Sequence, residues 1–296
     1  MAKRINKCIE LLEQGQPYYT THPSELSYEA GLEDSQTWAD MLMMDFEHHP
    51  FDTVGLTNYM RGLKDGGPTP SGHPTPTVLC TLPSNAISPE EVRYNAWQAR
   101  HVLSAGVHGI LHTHTRTAES VKAFVQITRY PFQSLGRDVI GEGLRGAGGQ
   151  RPANDIWGLT GPEYAKVADP WPLNPKGELI LGLKIEDRHC LANVDDIAAV
   201  PGIAFAEWGP GDMGMSFMDP DAHDPPYPEV MNDARNKIKG ALDKNGIGFY
   251  SSWADDDMTM EQRVDYSIDV LGVKMMGATK EWAEYGRKKT GRTMPV

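Results

Sequence analysis

The chain has 296 residues, a length at which one α/β barrel still forms a single domain, and 40% apolar against 23% charged residues suits a globular protein with a real core. Forty acidic against 28 basic residues leave a net charge of −12, which opposes phosphate backbones and anionic membranes and argues against nucleic-acid or membrane partners. No apolar run reaches the roughly 20 residues needed to cross a bilayer, and the opening MAKRINKCIELLEQ breaks into charge too soon for a signal peptide, so a cytoplasmic protein is expected. Cys8, Cys80 and Cys190 have no CxxC spacing and read as plain thiols.

The 30 glycines and 22 prolines are spread between apolar runs, where they punctuate rather than form a low-complexity segment. Candidate strands fall at 17–22, 41–47, 77–82, 109–115, 178–187, 203–209, 247–253 and 273–277. The clearest helix begins at Ser88, where Ser-Pro-Glu-Glu offers a capping hydroxyl and a first-turn proline, and it should run to about Leu103 and stop at Gly106. Further helices are predicted at 117–128, 193–200, 228–245, 260–271 and 279–289. Strands alternating with helices in this way predict one (β/α)8 barrel over residues 1–296, with its site at the C-terminal strand ends. A long glycine- and proline-rich interval, about 133–176, breaks the rhythm and reads as a loop insertion, either a solvent loop or a wall of the site.

Several strand ends carry chemistry. The run MLMMDFEHHPFD, residues 41–52, turns from an apolar strand into acids and histidines, where Asp45 can orient His48 as a general base; a charged surface turn would look the same. Residues 109–115 hold the pair His112 and His114, suited to ligation or to packing, and Arg116 follows at the rim. Glu186 ends the strand at 178–187, and Asp212 lies in the glycine-rich turn AEWGPGDMG after the next strand. Two carboxylates from adjacent strand ends make a hard oxygen site for Mg²⁺, Mn²⁺ or Co²⁺, unless they serve only as a strand-end charge and a helix cap.

Together these motifs resemble the HpcH/HpaI aldolase family, the metal-dependent class II pyruvate aldolases related to the citrate lyase β-subunit. MMDFEHHPFD at 43–52 is similar to the family's Asp-x-Glu-His turn, KIED at 184–187 to its metal-glutamate strand, and WGPGDMG at 208–214 to its metal-aspartate turn. TRYPF at 128–132 and GLRGAGG at 143–149 are similar to its Arg-Tyr-Pro-Pro and Arg-Gly run, in the same order along the chain. The resemblance implies a (β/α)8 barrel of the phosphoenolpyruvate/pyruvate-like superfamily, assembled as a homo-oligomeric trimer or hexamer. It implies reversible carbon-carbon cleavage of a small hydroxy-oxo-acid or related carboxylate through a metal-stabilised enolate. Glu186 and Asp212 would hold the divalent cation, the amides of Gly211 and Asp212 would receive the substrate carboxylate, and His48 with Asp45 would move the proton.

Two departures stand out. The family carries an arginine in a Val-Arg-Pro context at the end of its third strand, whereas residues 78–85 here read VLCTLPSN; its glutamine two places before the metal glutamate is Lys184. Lys184, Arg116, or Arg145 or Arg151 from the long interval would have to supply the missing positive charge. The departures leave open a divergent lyase that forms another enolate. A hydrolase using His112 and His114 as metal ligands and a non-catalytic scaffold are the remaining alternatives.

Overall fold

The computed structural model describes residues 2–296. Eight parallel strands form the framework: β1 (Tyr18–Thr21), β2 (Met41–Met44), β3 (Thr77–Asn85), β4 (Gly109–Thr113), β5 (Leu179–Lys184), β6 (Phe205–Trp208), β7 (Gly248–Ser251) and β8 (Val273–Gly277). Each pairs in parallel with the next, and β8 pairs with β1, so the ring closes and leaves no free edge. This is the expected (β/α)8 barrel. A two-residue strand that sequence patterning did not anticipate, Pro170–Trp171, adds to the start of β5.

Strand alternation divides the apolar residues between two cores. Met41, Met43, Leu79, Leu111, Ile180, Phe205, Tyr250 and Met275 fill the barrel, and Cys8, Ile9 and Leu11 of helix Lys7–Glu13 pack against them. Leu42, Met44, Val78, Ile110, Leu181 and Ala206 face outward into the helix layer. Gly182 lies on the inner face, where a Cβ would come within 2.2 Å of the Phe205 ring, so this glycine makes room for an aromatic core residue.

The helix from Ser88 forms with its hydroxyl accepting the Glu91 amide, is interrupted at Asn95, and ends at Gly106 with φ 101°. Helices Tyr28–Asp34 and Thr53–Asp65 escaped the periodicity reading because each carries glycines. Their crossing explains those glycines: a Cβ on Gly62 would lie 2.1 Å from the Tyr28 carbonyl oxygen, and one on Gly31 would lie 2.2 Å from that of Tyr59.

The interval 133–176 is more ordered than its composition suggested, with short helices Arg137–Ile140, Ala153–Ile156 and Gly161–Val167. It follows helix Ala118–Thr128 and precedes β5, so it lies at the N-terminal face of the barrel, away from the strand ends that build a site. Its contacts agree: Trp157 donates to the Gly106 carbonyl and stacks on His108, just before β4, with ring centroids 5.4 Å apart. A buried pair, Arg129 Nε to Asp169 Oδ1 at 2.6 Å, anchors it. The expectation of a site wall is therefore corrected by chain topology. Among the described residues no helix is long and apolar enough to cross a membrane, and all three cysteines are free and buried.

Candidate active site at the C-terminal rim

Continuing the inward alternation of β5 past Ile180 and Gly182 brings Lys184 and then Glu186 to the mouth of the barrel. On β6, Glu207 follows Phe205 on the same face, and on β2, Asp45 follows Met41 and Met43. Polar side chains therefore gather at one end as a direct result of strand register.

Glu186 is 1% exposed, and burial, with Glu207 and Glu47 nearby, pushes its carboxyl up to about 8 against the pull of Lys184 and His114. Oxygen or nitrogen atoms of Glu47, His114, Glu186 and Asp212 all lie within 4.8 Å of one another. A Cβ at Gly209 would come within 2.9 Å of Glu186 Oε2, so glycine at this position leaves room for the carboxylate. Gly211 and Asp212 sit in the first turn of helix Pro210–Ser216, ahead of its first closing bond from the Met213 amide to the Gly209 carbonyl.

Lys184 Nζ lies 2.6 Å from Glu47 Oε2 and 3.7 Å from Glu186 Oε2. Burial alone would lower its ammonium, but Glu207, Glu186 and Glu47 together hold it above the ordinary lysine range. Glu207 accepts a bond from Ser252 at 3.2 Å, its other oxygen is buried without a hydrogen-bond partner, and burial raises its carboxyl. Such a surplus of converging carboxylates suits a divalent cation: the donor set is oxygen-rich, close-packed and short of positive charge.

Asp45 accepts from His48 Nδ1 at 2.8 Å and from the Thr81 hydroxyl at 3.0 Å. Burial works against ionisation of Asp45, yet the His48 bonds keep it below its ordinary value. His48 itself is solvent-accessible. A cleft of about 540 Å³, lined by Met43, Asp45 and His49 among others, opens beside this pair.

The histidine pair is not brought together. His112 points outward onto Phe124, with ring centroids 4.9 Å apart, and burial drives it down to about 3. His114 has φ 47°, which turns the chain out of strand geometry and swings its ring toward Glu186. Arg116 Nε is engaged by Asp187 at 2.9 Å. Arg145 does not reach the rim: it is buried among Tyr130 and Tyr164, 4.7 Å from the Tyr130 ring centroid and bonded to the Tyr164 hydroxyl. Its place in a segment between a helix end and a strand start fixes it at the opposite face. Glu47, Thr81, Asp187, Glu207 and Ser252 were not singled out from sequence. For Glu207 a signal existed, as the only acid within an apolar strand and on the Phe205 face.

The family model for HpcH/HpaI aldolase/citrate lyase matches residues 87–274. The chain belongs to this family. A hydroxypyruvate/pyruvate aldolase of Paraburkholderia phytofirmans is 28% identical over 211 residues, covering 70% of this chain and 68% of that protein. A 2-keto-3-deoxy-L-rhamnonate aldolase of Klebsiella pneumoniae is 28% identical over 203 residues, 68% of this chain and 63% of its own length. The crystal structure of a family member from Burkholderia cenocepacia superposes with a TM-score of 0.69 at 19% identity, covering 97% of both chains, a likeness of fold. As a member of this family, the protein is a carbon-carbon lyase of aldolase type.

Proposed function

We propose that the protein is a divalent-metal-dependent aldolase that cleaves or forms a hydroxy-oxo-acid, with Glu186 and Asp212 as the carboxylates that hold the cation. The observation that carries this reading is the convergence of those two side chains from consecutive strand ends within a cluster whose carboxylates outnumber the one ammonium, Lys184, beside them. Mg²⁺, Mn²⁺ and Co²⁺ all suit oxygen donors of this kind, and the bound ion would polarise the substrate's carbonyl and carboxylate oxygens.

The chain's own groups account for the remaining work. The first-turn amides of Gly211 and Asp212 are free to receive a substrate carboxylate. His48, held through Nδ1 by Asp45, has Nε2 available to take the proton of the substrate hydroxyl, directly or through one water. As the carbon-carbon bond breaks, its electrons pass to the oxo-acid fragment, and the departing carbon becomes an aldehyde. The Lys184 ammonium provides fixed positive charge beside that developing negative charge, in the role left by the arginine absent from residues 78–85. No Schiff base is required, since Lys184 is held in its charged form.

The substitution of lysine for arginine, at a different point on the rim, favours a substrate that differs in shape from those of the named relatives. A homo-oligomer, trimeric or hexameric, located in the cytoplasm, completes the reading; exposed Met215, Met218 and Val230 offer apolar surface for association. The test is a panel of hydroxy-oxo-acids with coupled detection of pyruvate. Activity should vanish on chelation and return with Mg²⁺, Mn²⁺ or Co²⁺, and Glu186→Gln should not be rescued by any of them. Full activity after exhaustive chelation overturns the reading.

A further inference from the structure

We propose that His114 is a third, nitrogen ligand to the cation held by Glu186 and Asp212, and that it biases the site toward a borderline metal such as Co²⁺ over Mg²⁺. This rests on the metal site proposed above but goes beyond its oxygen donors. His114 Nδ1 lies 3.3 Å from Asp187 Oδ2, and its Nε2 lies 3.8 Å from Glu186 Oε1. In the neutral ring, Nδ1–H donating to Asp187 would leave the lone pair on Nε2, the nitrogen on the side of the cluster's carboxylates.

Asp187 is itself immobilised. Its Oδ1 accepts the amides of His189 and Cys190, and its Oδ2 accepts Arg116 Nε at 2.9 Å. A carboxylate fixed in this way, bonded to the far nitrogen of an imidazole, is the arrangement that sets tautomer and ring direction for a metal-binding histidine. The backbone contributes a second, independent observation. His114 is one of two non-glycine residues among those described with positive φ, and its own amide donates to Glu186 Oε1 at 3.3 Å. A residue in left-handed backbone, tied by its amide to Glu186 and by its ring to Asp187, indicates that the ring's direction matters at this position. Its neighbour His112, on ordinary strand geometry, is turned away into the helix layer.

The nitrogen donor matters because Mg²⁺ strongly prefers oxygen, whereas imidazole suits the later first-row metals. Asp187 and Arg116 thereby acquire roles as positioning residues: Asp187 holds the imidazole and Arg116 fixes Asp187.

The experiment uses metal-free full-length protein titrated calorimetrically with Co²⁺ and, separately, with Mg²⁺. His114→Asn is the first variant, since asparagine tolerates the left-handed backbone but is too short to ligate. It should weaken Co²⁺ by about ten-fold or more while changing Mg²⁺ by less than about three-fold, and it should alter the visible absorption of bound Co²⁺. Asp187→Asn keeps the helix cap but presents an amide N–H to Nδ1, forcing the proton onto Nε2. It should reproduce the loss of Co²⁺ selectivity with helix content unchanged. In the native protein, ring-nitrogen NMR should show His114 Nε2 shifting on addition of diamagnetic Zn²⁺. An unchanged Co²⁺/Mg²⁺ ratio in both variants, with binding abolished by Glu186→Gln, overturns the third ligand and leaves the carboxylate site standing. Absence of any cation binding to native protein overturns both.

Discussion

Lys184 Nζ stands 2.6 Å from Glu47 Oε2, tying the end of β5 to the turn that follows β2 across the mouth of the barrel. The same ammonium lies 3.7 Å from Glu186 Oε2, so one cation serves carboxylates from two sides of the site. A buried pair of this kind is a weak source of net stability, because desolvation offsets the attraction. Its value lies in placing a fixed positive charge where the reaction develops a negative one.

Replacing Lys184 with glutamine, the residue the family resemblance leads one to expect, keeps a hydrogen-bond donor but removes the charge. Turnover on the best substrate should fall by about 10²–10³-fold, the scale seen when one preorganised electrostatic group is lost. KM should move less than kcat, since the charge acts mainly on the transition state. Steady-state kinetics decide the matter, and an unchanged kcat would remove Lys184 from the catalytic set.

Glu186 should couple cation binding to proton release. With its carboxyl pushed up to about 8 by burial, it holds a proton at neutral pH, and the cation binds the ionised form. Affinity should therefore rise as pH increases toward about 8, by up to about ten-fold per pH unit, and level off above that. Calorimetry in buffers of different ionisation heat should detect markedly more proton release at about pH 6.5 than at about pH 9. Release that is equal at both values would mean that another group carries the coupling.

His48 can be tested apart from the cation. It touches Asp45 but belongs to the outer part of the rim, so His48→Gln should lower turnover by about 10²–10⁴-fold while leaving cation affinity intact. The Asp45→Asn variant should show a smaller fall, because the imidazole survives but loses its orienting carboxylate. Comparable loss of cation affinity in the His48 variant would instead assign the histidine to the metal.

The barrel was legible because its period-two pattern and its turns agree: Met41, Met43 and Asp45, or Ile180, Gly182, Lys184 and Glu186, read directly as one inner face rising to the rim. The same rule failed for His114, since alternation assigns it the outward face of His112, and only the positive φ at that residue reverses it. Arg145 was misplaced for a different reason. Glycine-rich composition suggested a functional loop, whereas the position of the segment after a helix and before a strand already required the opposite face. Glu47 and Thr81 depend on the path of a turn and on a neighbouring strand's register, which local patterning does not contain.

The lower face offers a pH-dependent test that is independent of catalysis. Asp40 is fully buried and receives Lys7 Nζ at 3.1 Å and both terminal nitrogens of Arg292 at 2.7 Å, joining the first helix to the C-terminal tail. Burial opposes its charge, but Lys7, Arg292 and Arg287 hold its carboxyl well below the ordinary 3.8. A depressed folded-state value means that the unfolded chain takes up the proton first. The contribution is thus complete above about pH 5 and is lost as pH falls through and below the ordinary value. Asp40→Asn leaves Lys7 and Arg292 buried without their counter-charge, so at about pH 7 it should cost on the order of 3–5 kcal/mol. The gap between variant and native protein should narrow as pH drops below about 4, because the native protein forfeits the same interaction there. Urea denaturation across that range measures it directly. A gap that stays constant with pH would show that packing around residue 40, rather than its charge, holds the two chain ends together.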